Sequence, residues 1–494
     1  MVAGRAVRNA GGMAEPELVD VVVVGLGVGG EEVAGRLAEA GLSVVGIERS
    51  LVGGECPYWG CIPSKMMIRA ANAVAEARRV NDFAGAAQVQ PDWAPVAKRI
   101  RAEATDTWDD RVAVERFTGR GGRFVRGSGR LDGPGRVRVG DQVFQARHGI
   151  VLGTGTRPSV PPIAGLADTP YWTNHQAVEV EELPGSLLVL GGGAIGLELA
   201  QVFARFGVAV TVVEAADRVL AVEEPEASEV ATAALRADGV RICTGIQAEQ
   251  VDHDGRAFTL GAAGGVEFTA ERLLVVTGRR AHLDELGLDG VGVDPSQRYL
   301  AVDDRMRVAE GLWAVGDLTG EGAFTHIAMY QAAIVVADVL DHVRRARSGA
   351  DASGTASAVG GAASTAGAGT AGGVPHADYR ALPRVTFTDP EVGAVGLTER
   401  QARERGLNVQ VGVSQLGSST RGWIHRADGL IKLVADADRG VLVGATSVGP
   451  AGGEVLSGLV VAVHAAVPLS QLRHMIYAYP TFHRAIEDAL RNLR

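Results

Sequence analysis

The first long apolar run of the chain, Val21-Val-Val-Val24, follows Asp20 and ends at Gly25. A run this short, closed by glycine, reads as a strand buried on both faces. Gly25-Leu-Gly27-Val-Gly-Gly30 comes next, then a helical spacing that sets Val33, Leu37 and Leu42 on one side. Ser43-Val-Val-Gly-Ile-Glu48 is a second strand, ending in an acid. The pattern therefore predicts a complete βαβ unit. It occurs again: Ser186-Leu-Leu-Val-Leu190 leads into Gly191-Gly-Gly193-Ala-Ile-Gly196, a helix bearing Leu199, Val202 and Phe206, and a strand Val208–Val213 that ends at Glu214. In both copies the acid lies 23 residues after the first glycine (48 − 25 and 214 − 191). Two nucleotide-binding domains of one kind are the simplest account. Further on, Arg384–Thr388 and Leu442–Val448 read as strands, and Glu454–Ala466 and His483–Leu493 as helices. The expected fold class is α/β, with two doubly wound Rossmann-like domains and a C-terminal α+β domain.

Two segments lack such periodicity. Residues 1–17 are rich in Ala, Gly and Arg with no apolar stretch, so they read as a disordered tail rather than a secretory signal, with Met13 an alternative start. Residues 346–375 are Ala/Gly/Ser/Thr with almost no large apolar side chain, too little to offset the entropy of ordering, and read as a flexible insert. The 48 basic and 58 acidic side chains give a formal charge of −10 and form no basic stripe, which argues against nucleic acid as a partner. The apolar runs are far too short to span a bilayer. A cytoplasmic protein is expected.

With 67 glycines in 494 residues, one GxGxxG should arise by chance about once. The context carries the weight: each copy follows a strand, opens a helix and ends at an acid near the expected offset. One glycine makes the tight turn, one admits the pyrophosphate and one lets helix and strand pack, so Gly25, Gly27 and Gly30, and Gly191, Gly193 and Gly196, are candidate cofactor contacts. Glu48 and Glu214 would accept hydrogen bonds from ribose hydroxyls. A carboxylate also repels a 2′-phosphate, so Glu214 favours NAD(H) over NADP(H), although Arg218 lies four residues on.

The chain has three cysteines, and two of them are Cys56 and Cys61 in Gly53-Gly-Glu-Cys56-Pro-Tyr-Trp-Gly-Cys61-Ile-Pro-Ser-Lys65. The odd count argues against a secreted disulfide framework, and in a reducing compartment a disulfide is usually catalytic. The spacing sets the pair within a turn of a helix start, where thiol pKa values fall. The alternative is two unreactive core cysteines. Cys243, in Val240-Arg-Ile-Cys243, reads as structural.

Taken together these segments resemble the class I pyridine nucleotide-disulfide oxidoreductases, the family of dihydrolipoamide dehydrogenase, glutathione reductase and mercuric reductase. The resemblance runs from about Val19 to the C-terminus, apart from 346–375. It implies that the first glycine motif holds FAD and the second NAD(P). Gly153-Thr-Gly-Thr-Arg-Pro158 and Thr277-Gly278-Arg279-Arg280 resemble the crossings between the two domains, with Gly278 near the cofactor. Leu312-Trp-Ala-Val-Gly-Asp317 resembles the second FAD segment, Asp317 contacting the ribityl chain, and Thr325-His326 begins a helix over the flavin. Phe387–Val392 and Val395–Glu399 resemble the start of a dimerisation domain. By the same resemblance Cys56 is the interchange thiol, Cys61 the thiol against the flavin, Lys65 the lysine near flavin N5 and Glu198 its partner. Flavin chemistry can carry two electrons to such a disulfide.

The C-terminus departs from the family. Most members end in His-Pro-Thr followed by an orienting Glu, whereas this chain reads Tyr477-Ala-Tyr479-Pro480-Thr481-Phe482-His483-Arg484. Tyr479 stands where the base would be, and a phenol that titrates near pH ~10 is a poor base at neutrality. Either His483, one helical turn further on with Glu487 to orient it, serves as base, or the acceptor needs none; interface packing for Tyr479 and a surface role for His483 are the plain alternatives. The expected layout is an FAD domain (18–157 and 279–345), an NAD(P) domain (158–278) and a dimerisation domain (376–494). The expected activity is transfer of electrons between NAD(P)H, FAD and a small-molecule or protein-bound disulfide by a homodimer, with no resident metal. Quinone or mercuric-ion reduction, and membership of a 2-oxo acid dehydrogenase complex, are the alternatives.

Overall fold

The computed structural model describes residues 15–348 and 373–494. The expected tail falls outside the described residues up to 14, and the expected insert between 349 and 372. In chain order, strand β1 (Glu17–Val24), helix α1 (Val28–Glu39) and strand β2 (Val44–Glu48) form the first βαβ unit. Helix α2 (Cys61–Phe83) follows, then β3 (Arg123–Arg126) and β4 (Gln142–Leu152). The second βαβ unit is β5 (Ser186–Leu190), α3 (Ala194–Arg205) and β6 (Ala209–Val213), completed by β7 (Arg241–Cys243) and β8 (Arg272–Val275). Strand β9 (Leu312–Ala314) and helix α4 (Thr325–Arg347) precede the C-terminal strands.

The chain divides into two compact units. The first contains the segments ending at Cys56, Trp108–Arg157 and Arg280–Ala377. Its central strands run in the order β3-β2-β1-β4-β9, all parallel. Alternation along β1 explains its continuous apolar run. Val21 and Val23 face a core built with Val33 and Leu37 of α1 and Val335 and Val339 of α4. Val22 and Val24 face the opposite core, with Ile47, Ile150 and Leu152. Each such side chain removed from water contributes roughly 1.5–3 kcal/mol. Glu17, expected in the tail, instead begins β1 and pairs with Phe144, followed by Leu18 with Gln145. Leu42 is buried as expected, but beyond the end of α1, in the turn to β2. Helix α4 reaches Arg347, so residues expected to begin the insert are helical.

The second unit contains Pro57–Thr107, Pro158–Arg279 and Asp378–Arg494. Its parallel sheet runs β7-β6-β5-β8, and an antiparallel meander of 248–253, 258–262 and 266–270 covers one core with Leu188, Leu190 and Val213. Phe206 is the cap just beyond α3 rather than part of it. Cys243 closes β7, as its apolar surroundings predict. The C-terminal part is a five-stranded antiparallel sheet, Pro383–Thr386, Glu391–Gly396, Val441–Gly449, Leu430–Asp436 and Val409–Gln415 in spatial order, against the helix Gly452–His464. The helix expected from His483 starts only at Ala485, after a single tight turn over Phe482–Arg484. Pro480 and the extended Thr481 break it there.

Candidate redox and dinucleotide sites

In the first unit, Gly25 has a φ of +91°, and a Cβ there would sit 2.5 Å from the carbonyl oxygen of Gly153. A Cβ on Gly30 would lie 1.9 Å from the oxygen of Gly25. These two glycines are required by the backbone itself. Gly27 differs: the nearest atom to its Cβ position is 3.9 Å away. It is the N-cap of α1 and no side chain caps that end, so no side-chain acceptor competes for the first-turn N–H groups and the positive end of the dipole. Glu48 ends β2 and accepts from Leu26 N at 2.8 Å with one oxygen and from Ser50 N at 2.7 Å with the other. Those bonds orient the carboxylate and leave lone pairs for hydroxyl donors. A cleft of about 580 Å³, counting its open mouth, is lined by Gly25, Glu48, Arg49, Gly129, Thr156 and Arg157. Arg157 and Arg49 both bond Glu285 at its rim, and the hydrogen bond from Arg157 holds the Glu285 carboxyl below its usual range.

Asp317 sits in the turn Gly316–Thr319 and accepts a 2.8 Å hydrogen bond from Thr156 Oγ1. Gln331, wholly buried on α4, fixes that turn by accepting from Gly316 N at 2.7 Å and donating to Thr319 Oγ1 at 3.0 Å. Nothing in the sequence pattern singles out Gln331. Thr325 opens α4, whose N-terminus also lacks a side-chain cap. The glycine cradle, the oriented Glu48 and these two helix ends without side-chain caps fit a bound dinucleotide such as FAD.

The approach to the cysteines is built on the same cradle. Gly53 N donates to Leu26 O at 2.7 Å, and Gly54, at φ +70°, packs so closely that a Cβ would meet Gly27 Cα at 2.9 Å. The doubled glycine thus brings the chain beside the first glycine motif just before Cys56. Cys56 is half-buried in the short helix Glu55–Tyr58.

In the second unit, Cys61 is the exposed first residue of α2, whose N-cap Gly60 carries no capping side chain. Lys65, one turn on, bonds Glu198 of α3 at 2.7 Å and lies 4.5 Å from the ring centre of Phe387. Glu198 is 5% exposed, and its second oxygen accepts from Phe387 N at 2.8 Å. The structure therefore brings Lys65 and Glu198 together. It also shows a polar stripe on α3 that the sequence did not reveal. Gln201 bonds Asp238 and the backbone of Asp389, and the buried Arg205 bonds Asn72 of α2 at 2.6 Å, Asp238 at 2.9 Å and Asp389 at 2.7 Å. The stripe sets the spacing of α2 and α3 on which the Lys65–Glu198 pair depends. A second unforeseen feature lies within the cysteine loop. Trp59 stacks on His175, with centroids 4.3 Å apart and planes 2° from parallel, and donates to Glu179 at 2.6 Å. An aromatic between the cysteines was the only available signal.

The second glycine motif repeats the first. Gly191 has φ +117° and faces Val276 O, where a Cβ would approach to 2.6 Å; a Cβ on Gly196 would lie 2.3 Å from Gly191 O; nothing lies within 4 Å of the position on Gly193. Glu214 accepts from Gly192 N at 2.5 Å and from Ala216 N at 2.7 Å. Arg218 donates to the carbonyls of Leu220 (3.0 Å), Ala221 (2.8 Å) and Glu223 (2.8 Å). Gly278, at φ +125°, has open space around it, and its carbonyl accepts from Ser159 N at 2.9 Å.

At the C-terminus, Tyr479 is 66% exposed, donates to Thr420 Oγ1 at 3.1 Å and lies under Arg484, 5.6 Å from its ring centre. It precedes the break at Pro480, so Tyr479 and His483 do not share a helical face as expected. Glu487, expected to orient His483, instead pairs with Arg484 at 2.8 Å and with Arg491, while His483 lies 6.1 Å from the Tyr477 ring. Among the described residues no cluster of three or more His, Cys, Asp or Glu could hold a metal ion, and no helix is long and apolar enough to cross a membrane.

Comparison with known proteins agrees with this architecture. The family model for pyridine nucleotide-disulphide oxidoreductases matches residues 19–332, and the model for the dimerisation domain of that family matches residues 382–490. The chain belongs to the class I pyridine nucleotide-disulfide oxidoreductases, FAD-dependent enzymes that use a pyridine nucleotide. It is 31% identical to a mercuric reductase of Shewanella putrefaciens, over 96% of this chain and 81% of that one. It is 32% identical to a dihydrolipoyl dehydrogenase of Thermus scotoductus, over 95% of this chain and 96% of that one. Among solved structures it resembles the HOCl-induced flavoprotein disulfide reductase RclA of Escherichia coli, with a TM-score of 0.78, 26% identity and coverage of 96% and 99%.

Proposed function

We propose that this enzyme is an NADH:disulfide oxidoreductase, of the dihydrolipoamide dehydrogenase kind, in which Cys56 and Cys61 cycle between disulfide and dithiol beside bound FAD. The observation that carries this reading is the Lys65–Glu198 pair at 2.7 Å, one helical turn from Cys61. Bound FAD supplies a two-electron carrier between a hydride donor and a dithiol. The residues of the chain supply the rest. Glu198, buried and held by Phe387 N, keeps the Lys65 ammonium in one place, where a fixed cation stabilises negative charge developing beside it. The uncapped start of α2 favours a thiolate at Cys61. Cys56, in its own short helix, is then the thiol that attacks a substrate disulfide. It forms a mixed disulfide and releases one substrate thiol; Cys61 then attacks Cys56, restores the Cys56–Cys61 bond and releases the second thiol. Glu214 and the occupied guanidinium of Arg218 both support NADH over NADPH, since neither offers a 2′-phosphate a free cation. The dimerisation domain supports a homodimer.

A second reading, reduction of Hg(II) or a quinone, is favoured by Tyr479, an exposed phenol at the position of the usual histidine. One experiment separates the two. Wild-type protein and Cys56→Ser are supplied with NADH and a panel of lipoamide, other disulfides, a benzoquinone and Hg(II). Disulfide reduction by wild type, lost by at least about 100-fold in the variant while quinone reduction survives, is the expected outcome. Wild type that reduces Hg(II) or quinone but no disulfide would defeat the first reading.

A further inference from the structure

Arg218 is bound to three carbonyls of the loop that follows it, and that loop is held from outside the nucleotide domain. Glu223, 7% exposed, takes a two-point hydrogen bond from Arg384 at 2.9 and 2.8 Å. Glu224, 2% exposed, pairs with Lys432 at 3.0 Å and accepts from Glu399 N at 2.6 Å. Lys432 is itself buried and also bonds Glu226 at 2.8 Å and Glu399 at 3.0 Å. Burial opposes the charge on Lys432, but hydrogen bonds to Glu226, Glu224 and Glu399 outweigh it and push its pKa up to about 12. Arg384, Glu399 and Lys432 all belong to the C-terminal sheet and its connections. The loop conformation needs such support, because Leu220 has a φ of +47°, a region that L side chains rarely enter. The loop also touches the cofactor cradle. Leu220 N donates to Gly192 O at 2.9 Å, and a Cβ on Gly192 would meet Val219 at 2.9 Å and Glu214 Oε2 at 3.1 Å.

We infer that Arg384 and Lys432 are positioning residues for nicotinamide selectivity: they fix loop 219–224 so that the donors of Arg218 stay on its carbonyls rather than turning to a 2′-phosphate. This rests on the proposed preference for NADH. The guanidinium is the one cation next to Glu214 in sequence that could reward NADPH, and its fork suits phosphate as well as it suits carbonyls. Removing Arg384 leaves Glu223 buried without its cation, so the carboxylate turns towards water and takes the loop with it. Arg218 then gains freedom to meet a phosphate.

The test is the ratio of kcat/KM for NADPH to that for NADH, measured with holoenzyme and one fixed acceptor. Arg384→Gln is expected to raise the ratio about tenfold. Arg384→Lys, which keeps the charge without the fork, is expected to give an intermediate value. In an Arg218→Ala background, Arg384→Gln is expected to leave the ratio where Arg218→Ala alone puts it. If Arg384→Gln does not accumulate as folded flavoprotein, Glu223→Gln attacks the same pair and carries the same expectation. A ratio unmoved in a folded variant, an equal loss with both cofactors, or a rise that persists without Arg218 would overturn the inference. The two failures separate: a wild-type preference for NADPH defeats the cofactor reading, whereas an unmoved ratio defeats this one.

Discussion

The two glycine cradles share one steric design and differ in what is attached to them. In each, the first glycine turns under a carbonyl of a neighbouring strand end, the third packs on the first, and the second faces space. In each, both oxygens of the terminal acid take a backbone N–H, one from the glycine loop and one from two residues further on. The differences begin after the acid. Past Glu48 the chain folds back through Gly53 and Gly54 onto its own cradle and delivers Cys56 there. Past Glu214 it forms the Arg218 loop, pinned by Arg384 and Lys432. On the proposed function the first cradle is coupled to redox chemistry, and on the further inference the second is coupled to cofactor choice. The nucleotide fold supplies binding, and the segment after the acid supplies function.

The sharpest way to break this comparison is to close each cradle separately. In Gly30→Ala the new methyl would lie 1.9 Å from Gly25 O, and in Gly196→Ala 2.3 Å from Gly191 O. Backbone cannot yield as a flexible side chain can, so each helix must move off its strand. Gly30→Ala is expected to purify without flavin, seen as loss of visible absorbance. Gly196→Ala is expected to keep its flavin while losing at least about 100-fold in kcat/KM for NADH. Flavin loss from Gly196→Ala, with none from Gly30→Ala, would reverse the assignment of the two sites.

Why the cradles were legible in the sequence follows from the same geometry. Gly25, Gly30, Gly191 and Gly196 sit where no Cβ fits, so the residue type reports the backbone directly. Val21–Val24 are buried on alternating faces, so the strand reads as one apolar run. The acids lie at a fixed chain distance. Other contacts leave no such mark. The Arg205 and Gln201 stripe, the Gln331 clamp and the Lys432 cluster join residues remote in sequence, and a buried Arg or Lys looks like a surface residue until its partners are located. The C-terminus misled for a local reason. His483 and Glu487 fit helical spacing on paper, but Pro480 and extended Thr481 end that helix before it reaches Tyr479.

A milder change sharpens the comparison by leaving the fold alone. At Gly27 and Gly193 a methyl meets nothing closer than 3.9 Å, and in Gly193 the backbone lies at φ −81°, ψ −178°, open to any residue. Gly27→Ala and Gly193→Ala should therefore leave the melting temperature of the protein stripped of cofactors within about 2 °C of wild type. On the proposed cofactor roles, the methyl would instead occupy the approach of the pyrophosphate. Each variant is expected to weaken its own cofactor about tenfold, FAD by titration for Gly27→Ala and NADH by KM for Gly193→Ala. Destabilisation of the stripped protein with no loss of affinity would mean that these glycines serve packing, not ligand.

The smallest expected effect is the most discriminating, because Glu48 and Glu214 look alike and are assigned different consequences. A carboxylate accepts at both oxygens, and both are in use: Leu26 N and Ser50 N for Glu48, Gly192 N and Ala216 N for Glu214. Glutamine can satisfy only one of each pair, since its amide nitrogen would face the other N–H. The unmatched N–H costs about 1–3 kcal/mol if it stays buried and less if water reaches it. Both variants should thus weaken their cofactor by a similar factor, about fivefold. Only Glu214→Gln also removes the negative charge that repels a 2′-phosphate, so only it should narrow the gap between NADH and NADPH. The gap should not close, because Arg218 remains bound to Leu220, Ala221 and Glu223 in that variant. Kinetics with both nucleotides decide the point. A gap that closes fully in Glu214→Gln would assign selectivity to the acid alone and leave the pinned loop without a part in it. A gap that narrows equally in Glu48→Gln would remove the distinction between the two cradles.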